Sequence, residues 1–169
     1  GLVRAYHGGW VGGWCRDSGG RLIPLCVSPL WDADAAGAEI RRNADRGVRA
    51  VTFSEIPYFL GLPSIHNGYW DPFFAACADT GTVVCLHIGS SSKMPSTSAD
   101  APPAVGSTLT FNNAVMSMTD WLFSGLLVKF PRVTLAYSDG QIGWSPYILE
   151  RADTGGEGNR AGGRVSGQG

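Results

Sequence analysis

The residues best placed to do chemistry in this chain are a histidine and two carboxylates, each standing where a predicted strand ends. His87 closes the run Thr82–Ile88 (TVVCLHI), just before Gly89-Ser90-Ser91-Ser92. In parallel α/β folds, ligands bind outside the carboxyl ends of the strands, and barrel enzymes draw their catalytic groups from the same places. Period-two alternation puts Val83, Cys85 and His87 on one face of this strand and Val84, Leu86 and Ile88 on the other. In a barrel the second set packs under helices, which aims His87 into the mouth. The competing reading is a hydrogen-bonded core histidine. Glu55 and Asp139 occupy matching places at the ends of two further strands. A carboxylate there can bind metal, polarise water or move protons, and both are candidate catalytic groups. The same placement also suits capping of the next element, or an ion pair with Arg49 or Arg151.

Three further residues are candidate substrate contacts. His66 lies in the loop Ser64-Ile65-His66-Asn67, as a lid residue or as an ordinary exposed histidine. Trp144 follows the Gly140-Gln-Ile-Gly143 turn at the same strand-end face, while Trp31, Trp70 and Trp121 read as core or staple residues. Ser90 belongs to the Gly-Ser loop after His87, whose composition suits an anion nest. His7 falls in a glycine-rich stretch and carries little of this reading. There is no GxGxxG, no P-loop and no GxSxG, so dinucleotide, triphosphate and serine-hydrolase chemistry lack their main signals.

Composition narrows the partners. The 169 residues carry a formal net charge of -1, with 44% hydrophobic and 16% charged residues. Those values describe a globular chain and argue against a phosphate-backbone binder, whose footprint is basic. No apolar run approaches the roughly 18 residues of a membrane helix, and Gly1-Leu2-Val3-Arg4 has no signal-peptide pattern. The expectation is a cytoplasmic enzyme that takes a small-molecule substrate, with no nucleic acid and no membrane. Cys15, Cys26, Cys77 and Cys85 show no CxxC or zinc-ribbon spacing. Cys77 and Cys85 read as small buried hydrophobes.

The elements that must position these groups alternate clearly. Residues 22–30 (LIPLCVSPL) form an apolar run with two prolines, a short buried strand. Asp32 supplies N-cap chemistry for a helix over 33–46, with Ala33, Ala36, Ile40 and Ala44 as its apolar stripe and Glu39, Arg41, Arg42, Asp45 and Arg46 toward water. Gly47 ends it. A strand over 48–55 and a long loop over 56–69 follow. Asp71-Pro72 starts a helix that Gly81 ends, and 82–88 is the strand carrying His87. A polar stretch over 89–107 precedes a long helix over 109–129. The last pieces are a strand over 132–138 and a helix over 146–153. Four strands separated by helix-length crossovers make an α/β fold with a parallel sheet. The first fifteen residues, with Gly8, Gly9, Gly12 and Gly13, promise a weak helix at best. Residues 154–169 hold seven glycines and one apolar side chain larger than alanine, Val165, so a domain over 1–153 is followed by a glycine-rich, disordered tail.

Several segments together resemble the amidohydrolase-related family that includes aminocarboxymuconate semialdehyde decarboxylase. They are RLIPLCVSPLWD (21–32), SEIPYFLGLPSIHNGYWDPFFAACADTG (54–81), VVCLHIGSSSKMP (83–95), DWLFSGLLVKFPRVTLAYSDGQIGW (120–144) and PYILERAD (146–153). The resemblance implies a TIM-like (β/α)8 barrel with a divalent metal, commonly zinc, at its mouth. It implies hydrolysis, or non-oxidative decarboxylation of a small unsaturated or aromatic carboxylate. His87 matches the family's metal-ligand histidine on a middle strand. Asp139 falls where many relatives carry a catalytic histidine ahead of a Gly-rich turn. The family's His-x-His pair has no counterpart in this sequence, and its late aspartate would lie beyond residue 153.

A (β/α)8 barrel usually takes about 250 residues, so about four β/α units make a partial barrel. The chain therefore reads as an internal piece of a longer enzyme, or a truncated or frame-shifted product, inactive alone and binding zinc weakly. The alternatives are a non-catalytic half-barrel that self-associates as a homo-oligomer or pairs with a partner, and a small doubly wound sheet holding phosphate at Gly89–Ser92.

Overall fold

Two prolines decide how the sheet begins. In the computed structural model, which describes residues 2–162, the run expected as a first strand contributes a single parallel bridge, Cys26 to Val51. Cys26 N donates to Ala50 O at 2.7 Å and Thr52 N donates to Cys26 O at 2.9 Å. Pro24 and Pro29 lie on either side, without the N–H groups that would lengthen the ladder. Three strands then follow: β1 (Ala50–Ser54), β2 (Val83–His87) and β3 (Leu135–Ser138). All pair in parallel, in the order β1-β2-β3. Chain order and spatial order therefore agree throughout, as in a barrel. A doubly wound sheet would reverse at a switch point, so the phosphate-binding alternative loses its topology.

The register sorts the side chains into two faces. Val51, Val84 and Leu135 form one layer and Phe53, Leu86 and Tyr137 the next, on the face beneath the helices. Thr52, Cys85 and Ala136 lie on the other face, with Ser54, His87 and Ser138 beyond them toward the strand ends. Val84 and Leu86 are fully buried whereas His87 is exposed. The alternation expected for this strand is the one observed.

Helix α2 (Ala33–Ala44) is capped by Asp32, whose side chain accepts from Ala35 N at 2.9 Å. Helix α3 (Asp71–Thr80) packs against it so closely that a Cβ at Gly37 would stand 2.6 Å from the carbonyl oxygen of Pro72. Asp71 does not cap α3 as expected. A 3-10 turn over Gly68–Trp70, capped by Asn67, leads into the helix, and the Asp71 carboxylate pairs with Lys129. The core lies between these helices and the sheet. Phe53, Trp70, Phe73, Phe74 and Trp121 meet there with ring centroids about 5 Å apart, mostly edge to face.

The expected helix over 109–129 is three helices: α4 (Pro103–Leu109), α5 (Phe111–Phe123) and α6 (Leu126–Lys129). Gly125, at φ 74°, separates the last two. The amino-terminal segment departs further from expectation. α1 (Leu2–Gly9) runs into a π-helical turn over Trp10–Cys15 and a 3-10 turn over Arg16–Ser18. Its anchor is His7, fully buried, with Nδ1 2.6 Å from Glu39 Oε1 and Nε2 accepting from Val27 N at 2.9 Å. Because Nε2 accepts, Nδ1 carries the proton. Glu39, placed toward water by the helical pattern, is 6% exposed and also takes Arg42 and Asn43. Tertiary contact, more than propensity, holds this helix.

Helix α7 (Ser145–Gly162) extends past the expected end at Asp153. The stretch 154–162 of the expected disordered tail is thus helical, and residues 163–169 lie outside the described residues. Among the described residues no helix is long and apolar enough to cross a membrane. All four cysteines are free.

Candidate functional site at the strand ends

The site grows from the last residues of β2 and β3. His87 Nδ1 lies 2.7 Å from the carbonyl oxygen of Ile88. A carbonyl only accepts, so Nδ1 bears the proton toward Ile88, and Nε2 is the ring atom that faces Asp139. Nε2 stands 3.0 Å from Asp139 Oδ2, with the two side chains 63% and 74% exposed. Asp139 has φ 60°, a left-handed conformation that Asp tolerates better than most residues. That turn of the backbone, one residue past β3, goes with a carboxylate placed beside the neighbouring strand's imidazole. Between the two atoms a proton can be shared, so the pair can accept or deliver one, or present two donors to a cation.

Helix α5 supports this rim from below. Gly140 is buried against it, where a Cβ would fall 2.7 Å from the Cβ of Ala114. Trp144 Nε1 donates to Gly140 O at 2.6 Å, which closes the turn that follows Asp139. The indole N–H of Trp144, a candidate substrate contact, is thus engaged within the turn. One helical turn along α5, Ser117 Oγ and Tyr137 Oη lie 2.9 Å apart. Burial pushes the Tyr137 hydroxyl well above its ordinary range, followed by a smaller lowering from Ser117.

Glu55 lies inside, not on the rim. It is 3% exposed. Its Oε1 accepts from Gly89 N at 2.8 Å, Ser91 Oγ at 2.9 Å and Asn113 Nδ2 at 3.1 Å. Ser90 Oγ accepts from Glu55 N at 2.9 Å, Ser90 O accepts from Ser54 Oγ at 3.2 Å, and Ser90 N donates to His87 O at 3.1 Å. Ser90 is thereby tied to the sheet on every side. The Gly-Ser loop does hold an anion-type group, as its composition suggests, but that group is the protein's own carboxyl.

His66 belongs to a different place. Its Nε2 pairs with Asp120 Oδ1 at 3.1 Å, at the edge of a cleft of about 660 Å³ between the loop after β1 and α5. Ile56, Tyr58, Phe59 and Met116 give that cleft its apolar walls. The structure therefore brings His87 and Asp139 together, joins Glu55 to Ser90 beneath them, and sets His66 on a separate pair. Sequence reasoning missed Asn113, Ala114 and Ser117. Two polar residues four apart, Asn113 and Ser117, on one face of an otherwise largely apolar helical stretch were the signal that could have found the platform.

A divalent metal needs more than the rim provides. Among the described residues no group of three His, Cys, Asp or Glu side chains gathers in one place. A catalytic zinc typically has three protein ligands, while His87 and Asp139 make two. These residues alone do not fit a complete centre, so no chemical step is derived through a metal.

Comparison with solved structures supports the barrel reading of the fold. The chain is similar to an amidohydrolase-type protein from Staphylococcus aureus, with 13% identity, a TM-score of 0.68, and coverage of 90% of this chain and 52% of that one. It is also similar to 5-carboxyvanillate decarboxylase from Sphingomonas paucimobilis, with 21% identity, TM-score 0.66 and coverage of 96% and 48%. For 2,6-dihydroxybenzoate decarboxylase from Rhizobium the values are 19%, 0.62, 89% and 48%. The chain thus spans about half the length of these structures. Comparison with curated proteins gives no match. The family model described as Amidohydrolase matches residues 1–160. Nearly the whole sequence fits that pattern, on a partial barrel with its polar groups at the carboxyl ends of the strands, and the chain belongs to the amidohydrolase family.

Proposed function

We propose that this chain forms part of a metal-dependent hydrolase or carboxy-lyase acting on a small carboxylate or amide substrate. His87 is its metal-ligand histidine and Asp139 its acid–base partner. The observation that carries this reading is the exposed His87–Asp139 pair, 3.0 Å apart on adjacent strand ends. Family membership supports the reaction class, since amidohydrolases generally use a divalent metal. The two decarboxylases among the similar structures favour an aromatic carboxylate as substrate class. The metal assigned here is zinc. With His87 helped by at most one carboxylate in place of three protein ligands, this chain by itself holds zinc weakly and does not turn substrate over.

The test is zinc retention. Wild-type protein dialysed against metal-free buffer should keep well under one zinc per chain, and His87→Ala should keep less still. One zinc per chain surviving dialysis, and lost in His87→Ala, would overturn the weak-binding half. Equal zinc uptake by both proteins would remove His87 from the metal site altogether.

A second reading has its own observation. β3 pairs only with β2, so its other edge has no strand partner among the described elements, and Thr52, Cys85 and Ala136 on the face away from the helices are only half-buried. This favours a half-barrel that pairs with a second copy or with a partner covering the sheet.

A further inference from the structure

Five hydrogen bonds tie residues 54–55 at the end of β1 to the loop that follows His87 and to α5. They are Ser54 Oγ to Ser90 O, Glu55 N to Ser90 Oγ, and the three bonds from Gly89 N, Ser91 Oγ and Asn113 Nδ2 that converge on Glu55 Oε1. Asn113 uses its second N–H on Lys93 O at 2.7 Å, so one amide joins the carboxyl group to the far side of the same loop. The loop needs such support. Gly89 and Ser92 have φ of 85° and 56°, and a non-glycine residue in the left-handed region persists only where its surroundings hold it. Gly89, whose N–H meets the carboxyl group, is two residues from His87.

We propose that Glu55 is the positioning residue of this rim. Its carboxyl group clamps the 89–91 loop to β1 and α5, and that clamp sets where the His87 imidazole stands. Glu55 does not touch substrate; it acts through His87. The proposal rests on the reading that His87 is the working group. The other oxygen, Oε2, is buried and has no hydrogen-bond partner among the described residues. Only one oxygen therefore does the clamping, and a glutamine, which keeps a carbonyl oxygen, can stand in for it where alanine cannot.

The test uses metal-free protein and two local NMR readouts. In Glu55→Ala, exchange of the Gly89 amide should rise about tenfold or more, while the amides of Val51 and Leu86 stay within about twofold of wild type. The His87 ring Cε1–Hε1 signal should shift in the same variant and return toward its wild-type position in Glu55→Gln. Ser91→Ala and Asn113→Ala each remove one donor; should Glu55→Ala not fold, they carry the same two readouts. An unmoved His87 signal in Asn113→Ala and Ser91→Ala would overturn the proposal. So would faster exchange spread evenly over Val51, Leu86 and Gly89, which is the mark of general destabilisation. These readouts need no zinc. A failure of zinc to depend on His87 would sink the proposed function and leave the clamp standing, while an unmoved ring signal would do the reverse.

Discussion

A carboxylate's part in this protein follows from what its two oxygens can reach. Asp139 is open to water and meets one imidazole. Glu55 is buried with one oxygen bearing three donors. Glu39 is buried too, beside Arg42, His7 and Asn43. The hydrogen bond from Arg42 holds the Glu39 carboxyl well below its usual range, at about 2; burial opposes this, and bonds from His7 and Asn43 add to the lowering. A depressed folded value stabilises the fold above the ordinary pKa of about 4.5 and loses that contribution as pH falls toward about 2. Urea unfolding should therefore show stability falling from pH 5 to pH 3, with a flatter profile in Glu39→Gln. At pH 7, Glu39→Ala should cost about 3–5 kcal/mol, as expected when one partner of a buried ionic network is removed. A cost below about 1 kcal/mol would place the network outside the stabilising core. None of the three environments could be read from residue type. Asp139 and Glu55 hold matching places in sequence and differ only in which neighbours fold over them.

Among elements, three of the four expected strands and the first two core helices were legible because their signals are local. Asp32 caps α2, Gly81 ends α3 at φ 65°, and TVVCLHI alternates as a half-covered strand must. The amino-terminal segment was not legible, since its four glycines argue against helix and two long-range hydrogen bonds of His7, with Glu39 and from Val27, sustain it. Two glycine substitutions separate propensity from packing. In α1, a Cβ at Gly8 meets nothing within 4 Å, so Gly8→Ala should stabilise by up to about 1 kcal/mol. In α2, a Cβ at Gly37 meets the backbone of Pro72, and overpacking of this kind costs about 1–3 kcal/mol. Gly37→Ala should therefore destabilise despite alanine's better helix propensity. Thermal unfolding of the two variants side by side checks this; a stabilised Gly37→Ala would show that α2 and α3 are free to separate.

The whole molecule is a sheet dressed mainly on one face. Burial of Val51, Phe53, Val84 and Leu86 completes the helix side, while Thr52, Cys85 and Ala136 line the other. That asymmetry is what a half-barrel leaves behind, and it predicts association. Sedimentation equilibrium should give a mass that rises with concentration. Cys85, half-buried on the open face, should be alkylated more slowly as concentration increases. Burial pushes Cys26 and Cys77 up to about 12 and so keeps both unreactive throughout. A monomer at all concentrations, with unchanging Cys85 labelling, would reject self-association.

The amino-acid sequence alone determined the alternation of strands and helices, the side of β2 from which His87 projects, and the kinship carried by its motifs, because each depends on neighbours a few residues apart. Tertiary structure alone decided that Asp139 reaches His87, that Glu55 is drawn inside by Asn113 from 58 positions away, and that His66 stands apart on Asp120. Those outcomes depend on which strand ends and helix faces are brought together, and on which donors then lie within hydrogen-bond reach. Local periodicity specifies the direction of a side chain but not its partner.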